Sequence, residues 1–518
     1  MKISVSIIFF INICLVGETL SAQTASEALR YTITRPYATA RSAGCGDGIT
    51  ALGAEFTASS INPAGIGLFR KSDAYISLKT QYDEVSSQLE NVGALNNSFE
   101  ENTSKLSLNG VGVVGVTAPA NALDWKNVNW LINISRIADF RRDFYFEGRS
   151  KGSITDRFLE LSLDPLQGGL VGLHPDDLDD FEAGLAYETG AVYDNGLDSL
   201  NYLYITDFLA HPGYAPKKEQ TVKQYGGLHE FSFGLGGNFQ EWMALGLSLH
   251  VPFGYFENKS VYRESEEIRD EYLPFRRLSF ESNLKTRVSG VGAKLGVILK
   301  PVKFLRLGAV IQSPYLYELK DEYDTELQYT FFNGRRDTSF MARSPKGEFE
   351  YQMITPIRGT FSAALISPLG FISADVDWIN PHYTQYNLTE HSEDPGDAAF
   401  EQELNQEIKK QYQSVLQYRI GGELALSKFR LRAGYQYLAQ PYADSDDFNT
   451  ALSFGLGYRG DRHYFDLSFT QSKSREGYAP YYTGNSDFNG DGQVDAITPL
   501  VLQEFNRSEI MITMGVKF

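Results

Sequence analysis

The sequence predicts an all-β fold, a transmembrane antiparallel β-barrel of about 14 strands with an N-terminal hatch, or plug, inside the lumen. Two observations predict it. Apolar and polar residues alternate in many short runs, so aromatic content reaches 13% while mean hydropathy stays at -0.28. Short links and long loops alternate between the runs. Strands that meet lipid on one face and a wet lumen on the other have this pattern.

The C-terminal stretch "RSEIMITMGVKF" alternates most clearly. Its apolar residues recur at every second position, which places them on one face of a strand: Ile510, Ile512, Met514, Val516 and Phe518. The same alternation occurs in "KFRLRAGYQYLA", "ALSFGLGYRG" and "YFDLSFTQS". An ending on Phe resembles the strand by which the barrel assembly machinery recognises its clients, although a soluble sandwich also permits it.

Counting every such run gives about fourteen strands. We expect them near 72–82, 105–117, 128–147, 223–239, 242–258, 276–300, 303–320, 347–366, 370–381, 412–427, 429–439, 450–459, 462–474 and 507–518. The long loops are then 83–104, 148–222, 259–275, 321–346, 382–411 and 475–506, of which 148–222 and 475–506 are the most elaborate. Short turns at one end and long loops at the other are typical of outer-membrane barrels.

Residues 1–22 have the features of a signal peptide. Lys2 precedes an apolar run, and small Ala22 stands before Gln23. Cys45 is then the one cysteine of the mature chain, which excludes an internal disulfide. After the leader no apolar run approaches the roughly 20 residues of a membrane helix. The net charge of -18 makes nucleic-acid binding an unlikely role.

The N-terminal segment that follows, residues 23–71, fits neither helix nor strand periodicity. It contains "SAGCGDGITALGAEFTASSINPAGIGLF", rich in Gly, Ala and Ser. Irregular backbone at membrane depth is tolerated where protein buries it or where it lines a cavity. A barrel of about fourteen strands has a lumen wide enough to need filling. We therefore predict that 23–71 is a plug and that 72–518 form the barrel.

At these residues the chain resembles the outer-membrane long-chain fatty acid and hydrocarbon transporter family, the FadL/TodX/OmpP1 group. That family carries an Asn-Pro-Ala motif in its hatch, which Asn62, Pro63 and Ala64 match here, followed by Gly65. The resemblance implies a Gram-negative outer-membrane protein, surrounded by lipid and lipopolysaccharide, that passes apolar molecules through a hatch-gated barrel. Some members release substrate sideways through the wall, and some relatives assist protein secretion.

Two groups of residues are predicted to contact substrate. In the loop 148–222 an apolar face at helical spacing suggests a groove for a fatty chain: Leu178, Phe181, Leu185 and Ala186. Three inward-facing arginines near the short turns suit a carboxylate: Arg306, Arg430 and Arg432. The alternative is that the helix only packs on its own loop, and that the arginines pin the plug through Asp47 or Glu55.

The loop 475–506 contains "DFNGDGQVDAIT", which matches a calcium-binding loop at five positions: Asp487, Asn489, Asp491, Gln493 and Asp495. Thr498 stands where the bidentate Glu is expected. The predicted site is a structural Ca²⁺ site, with a plain turn as the alternative. We expect no required cofactor.

Three functions remain open. The first is passive transport of hydrophobic molecules. The second is an accessory of protein secretion or surface assembly, with a protein partner at the extracellular face. The third, a barrel hydrolase, needs a Ser/His pair in the outer loops, and we do not expect an enzyme. A continuous apolar tunnel favours the first function, and a filled lumen favours the second.

Overall fold

The computed structural model describes residues 25–518, except 91–95, 118–123, 165–170, 197–201, 210–213, 267–272, 393–394, 446, 485, 487, 489–493 and 495. The predicted leader therefore lies outside the described residues. Among those residues, no helix is long and apolar enough to cross a membrane.

The strands, in chain order, are β1 Asp73–Leu89, β2 Ser98–Thr117, β3 Trp125–Asp139, β4 Arg142–Arg149, β5 Tyr193–Asp194, β6 Tyr204–Ile205, β7 Lys217–Phe239, β8 Met243–Ser265, β9 Phe275–Val302, β10 Leu305–Gln312, β11 Leu316–Phe332, β12 Asp337–Arg343, β13 Gly347–Ile354, β14 Arg358–Ser367, β15 Gly370–Ile379, β16 Gln385–Asn387, β17 Val415–Leu426, β18 Phe429–Ala439, β19 Phe448–Arg459, β20 His463–Tyr478 and β21 Val501–Lys517. The helices are α1 Ala25–Thr32, α2 Ala40–Gly44, α3 Phe56–Ile61, α4 Ile154–Leu161, α5 Ala183–Thr189 and α6 Pro395–Gln411.

The predicted barrel is confirmed: the wall is a closed, antiparallel sheet of 14 strands. Closure comes from β1 and β21, which pair from Asp73↔Lys517 to Leu89↔Val501. Four wall strands consist of two segments each: β3 with β4, β10 with β11, β13 with β14, and β15 with β16. Pro314, Pro356 and Pro381 interrupt three of them, since proline lacks the N–H that a ladder needs.

The alternation read from the sequence matches the two faces of the wall. In β19, Leu452, Phe454 and Leu456 are exposed on the outer surface, whereas Ser453 is fully buried inside. Apolar side chains outward and small or polar ones inward are what lipid on one side and packing on the other require.

Several predicted loops are wrong because they are strands. Most of 83–104 belongs to β1 and β2, and most of 321–346 to β11 and β12. Likewise β20 continues to Tyr478 and β21 begins at Val501. These extensions stand beyond the membrane, where water contacts the outer face, so the sequence loses the apolar alternation by which strands are recognised.

Candidate functional site

The N-terminal segment, residues 25–72, runs through the lumen from the long-loop end to the short-turn end. At the upper end the Tyr412 hydroxyl donates to Ala25 O at 2.7 Å, and the Thr32 and Thr384 hydroxyls are 3.0 Å apart. At the lower end Arg70 pairs with Glu241 at 2.6 Å. The segment is thus held to the wall near both of its ends.

A buried ionic cluster holds the middle of the segment. Arg35 is bonded to Asp377 and lies 3.5 Å from Asp375, and both carboxylates stand on the inner face of β15. Arg358 of β14 donates to Asp377 at 2.9 Å and to Thr34 O at 2.6 Å. Buried charges are costly unless they are paired, so this cluster favours the seated position of the segment.

The Asn62-Pro63-Ala64-Gly65 motif lies near the short-turn end. Asn62 Oδ1 accepts from Ala64 N at 3.1 Å, while its Nδ2 donates to Val297 O of β9 at 3.3 Å. Pro63 begins a 3₁₀ turn that extends to Leu68. Wall glycines make room for it, because a Cβ at Gly246 would collide with the Pro63 carbonyl. The asparagine therefore joins the motif to the wall; its role as a gate stays a prediction.

Sequence reasoning missed three asparagines on the inner face of β3. Asn129 Nδ2 donates to Ile66 O at 2.7 Å and to Phe69 O at 3.0 Å. Asn127 binds Gly67 O at 2.9 Å, and Asn133 binds Ser60 Oγ at 2.9 Å. Their signal is visible in "KNVNWLINIS", where Asn recurs at inward positions between apolar outward residues. Asn127 and Asn129 thus fix the turn after Pro63 to the wall, and Asn133 fixes α3.

The wall itself has a break. Pairing between β2 and β3 ends at Gly110↔Ser135, and among the described residues no ladder joins β2 to the rest of β3 or to β4. The N-terminal segment closes this break from inside. Tyr37 N donates to Arg136 O at 3.0 Å, Arg35 N donates to Ile137 O at 3.1 Å, and Asn109 of β2 donates to Tyr37 O.

The inner surface beside the break is polar. Three ion pairs line it: Lys79–Glu509 at 2.6 Å, Lys105–Asp139 at 3.4 Å and Arg507–Asp83 at 2.6 Å. Four buried polar atoms there find no hydrogen-bond partner among the described residues: Gln81 Oε1, Asn109 Oδ1, Ser135 Oγ and Arg136 Nε. A buried polar atom without a partner costs about 1–3 kcal/mol, so this surface suits a polar group.

The predicted loop groove is packed. Leu178, Leu185 and Ala186 are buried in one apolar cluster with α4 and β11. The Phe181 ring centroid lies 4.8 Å from that of Tyr323. The helix begins only at Ala183, and a separate 3₁₀ turn covers Pro175–Asp177. The four residues pack within the loop and against the wall, and a groove for a fatty chain at this place stays a prediction.

Arg306 contacts the N-terminal segment. Its guanidinium donates to Leu52 O. The two expected carboxylate partners are engaged elsewhere: Asp47 accepts from Ser42 Oγ at 2.6 Å, and Glu55 caps α3 by accepting from Ala58 N at 2.7 Å. Arg306 thus contacts a backbone carbonyl of the segment in place of the two carboxylates, and its role toward substrate stays a prediction.

Arg430 and Arg432 are at positions i and i+2 of β18. Arg432 is buried and pairs with Glu423 at 2.7 Å and Asp466 at 2.8 Å. Arg41 of α2 pairs with the same Glu423 at 3.1 Å. Arg430 donates to the carbonyls of its own turn. Arg432 Nη2 is buried without a hydrogen-bond partner among the described residues, and contact of either arginine with a substrate carboxylate stays a prediction.

The five predicted calcium ligands lie outside the described residues, so the site stays a prediction: Asp487, Asn489, Asp491, Gln493 and Asp495. Within the described part of the chain, no group of three or more His, Cys, Asp or Glu side chains is arranged to hold a metal ion.

A Ser–His–Glu arrangement occurs in the lumen wall, not in the outer loops. Ser248 Oγ lies 2.6 Å from His250 Nε2, and His250 Nδ1 lies 2.8 Å from Glu230 Oε1. This is the order of a hydrolytic triad. All three side chains are buried, however, and Lys294, 3.6 Å from Glu230, donates to Ser60 O at 3.2 Å. The cluster faces the N-terminal segment and helps to hold it.

The comparisons with known proteins concern the fold. No protein-family model and no curated protein matches the sequence. The crystal structure of a Pseudomonas aeruginosa FadL homologue matches 94% of this chain and 99% of its own, with a TM-score of 0.51 and 10% sequence identity. The chain has the FadL-type barrel fold. The Pseudomonas putida toluene transporter TodX matches at a TM-score of 0.45 and 12% identity, over 93% of this chain and 98% of its own. The Ralstonia pickettii toluene transporter TbuX matches at 0.43 and 12%, over 93% and 99%. In this FadL-type barrel, the N-terminal segment lies against the break in the wall.

Proposed function

We propose that this outer-membrane barrel is a passive transporter of hydrophobic small molecules, and that its cargo is an amphipathic acid such as a long-chain fatty acid. One observation carries the proposal: residues 35–37 of the N-terminal segment close the wall break by pairing with β3. A shift of this single segment opens the lumen and the break together. A route through the break leads into the bilayer, where an apolar molecule is soluble.

The lining of the break favours an acid over a bare hydrocarbon. A toluene-like molecule has no polar group to satisfy the atoms described above. The break presents four basic and three acidic side chains, namely Lys79, Lys105, Arg136 and Arg507 against Asp83, Asp139 and Glu509. This excess of one positive charge suits a carboxylate.

A second function is favoured by the filled lumen. A barrel that serves as a docking platform for secretion or surface assembly has no need of an open path. Its outer loops would then bind a protein partner. The packed apolar cluster of α4, α5 and β11 gives such a platform a rigid upper surface.

The test compares uptake of a labelled long-chain fatty acid with uptake of labelled toluene, in cells with and without the protein at matched surface level. We expect protein-dependent uptake of the acid. The double change Lys105→Gln, Arg136→Gln is expected to lower acid uptake more than tenfold and to leave toluene entry unchanged. Lys259→Gln is the control, since Lys259 is exposed and pairs with Glu257 on its own strand.

Equal acid uptake with and without the protein contradicts transport and leaves the docking function. Equal loss of acid uptake in the Lys259→Gln control contradicts the assignment to the break.

A further inference from the structure

A groove of about 990 Å³ lies on the outer, membrane-facing surface of the wall, near the short-turn end. It extends from Phe304 to Leu452 across β14, β15, β17 and β18. Its sides are exposed apolar side chains, among them Leu365, Ile372 and Leu431. The groove is thus apolar and open toward the bilayer.

The groove forms where the inner and outer faces of the wall both carry glycine or alanine. Gly421 of β17 pairs with Gly434 of β18, and on the inner face a Cβ at either position would collide with Cys45 of the N-terminal segment. The next pair, Gly422 and Ala433, faces outward with almost no side chain. The inner glycines admit the segment, and the outer small residues leave a depression the width of two strands.

The short turns beside the groove are basic. Lys303 lies next to Phe304, and Lys428 occupies the turn between β17 and β18; both are exposed. Among the described residues, neither lysine has an ion-pair or hydrogen-bond partner for its ammonium group. The chain as a whole carries a net charge of -18, so these two lysines contrast with its overall acidic charge.

We propose that the groove binds an acyl chain of an anionic glycerophospholipid, with the headgroup against the turns that carry Lys303 and Lys428. The membrane surrounds this face, so the occupant is a lipid. Lysines at the end of a membrane-spanning element extend to the interface and attract anionic headgroups. The short-turn end lies at the periplasmic leaflet, where headgroups meet these two lysines. The proposal is independent of the transported cargo.

Native mass spectrometry of the full-length mature barrel tests the proposal, with phosphatidylglycerol and phosphatidylethanolamine of identical acyl chains in equal amounts. We expect about tenfold preference for phosphatidylglycerol. Lys303→Gln with Lys428→Gln is expected to abolish the preference and leave total lipid bound nearly unchanged. Ala433→Phe fills the groove and is expected to reduce retention of both lipids.

Lys126→Gln is the matched control, because Lys126 is an exposed lysine at the start of β3, away from the groove. Folding of each variant is checked by the electrophoretic shift of unheated barrel. Equal binding of both lipids by the unaltered protein overturns the proposal. So does a preference that survives the double lysine change or falls as much in Lys126→Gln, and so does total lipid retention that Ala433→Phe leaves unchanged.

Discussion

Replacing Asn129 by Ala is expected to loosen the turn that follows Pro63. The change removes two hydrogen bonds to the turn, to Ile66 O at 2.7 Å and to Phe69 O at 3.0 Å. It also removes the bond from Thr117 N to Asn129 Oδ1 within the wall, while Phe69 O keeps a donor in Asn127. With a net contribution of about 1 kcal/mol per bond, the seated turn loses about 2 kcal/mol. Since 1.36 kcal/mol is a factor of ten, local opening increases about thirtyfold.

Hydrogen exchange measured by mass spectrometry on the purified barrel reports this opening. The amides of Gly65 and Phe69, which donate to Asn62 O and Ile66 O, are expected to exchange about thirty times faster. Strands β18 and β19 are expected to keep their protection. Asn102→Ala is the control, because that side chain is exposed and accepts one bond from Tyr82.

Unchanged exchange at residues 65–69 in Asn129→Ala would refute the idea that the β3 asparagines hold the turn. An equal rise across β18 and β19 would instead mean that the whole barrel had been weakened, and the local account would be wrong as well.

Three further predictions follow from other parts of the molecule. Arg35→Met removes a cation that pairs with Asp375 and Asp377, and it is expected to destabilise the bound N-terminal segment by about 3 kcal/mol. The measurement is hydrogen exchange of residues 33–40, which is expected to be faster. Arg70→Met is the control and is expected to change exchange little, because the Arg70–Glu241 pair is exposed. Burial raises the pKa of Asp156 in α4 to about 7. Because the folded loop binds the proton more tightly than the unfolded chain, this stabilisation is full below about pH 4 and is lost as pH rises through about 7. After division by the intrinsic exchange rate at each pH, the protection of α4 amides is expected to be higher at pH 5 than at pH 8, and Asp156→Asn is expected to remove that difference in protection. Terbium is expected to bind the purified barrel saturably, as measured by its luminescence, and Asp491→Asn is expected to lower the affinity for terbium at least tenfold. The absence of a saturable signal would contradict a cation site in 475–506.

The sequence was informative wherever lipid meets one face of a strand. The alternation in 429–439 and 450–459 gave the strands nearly to the residue, because one face there must be apolar. Beyond the membrane that constraint ends, so the extensions of β1, β2 and β11 read as loops. Strands can be recognised in the sequence by the alternation of apolar and polar residues, and not by overall hydrophobicity.

The wall residues that contact the N-terminal segment could not be predicted from the sequence. Arg35 and Asp377 are separated by 342 positions, and no local pattern pairs them. The helix predicted across 178–186 starts late for the same kind of reason: packing of the loop on β11 decides its geometry. By contrast, the small residues around Asn62 did indicate close packing, since wall glycines at Gly246 and Gly296 face it.

The central claim is that hydrophobic acids pass when the N-terminal segment leaves its seat, and Cys45 offers a direct probe. Its thiol is fully buried against the wall. The measurement is the rate at which a maleimide labels Cys45 in outer-membrane vesicles, with and without a saturating long-chain fatty acid. The account predicts that the acid speeds labelling at least tenfold, and that toluene does not. Labelling equally slow in all three conditions, while the acid still enters, would contradict it.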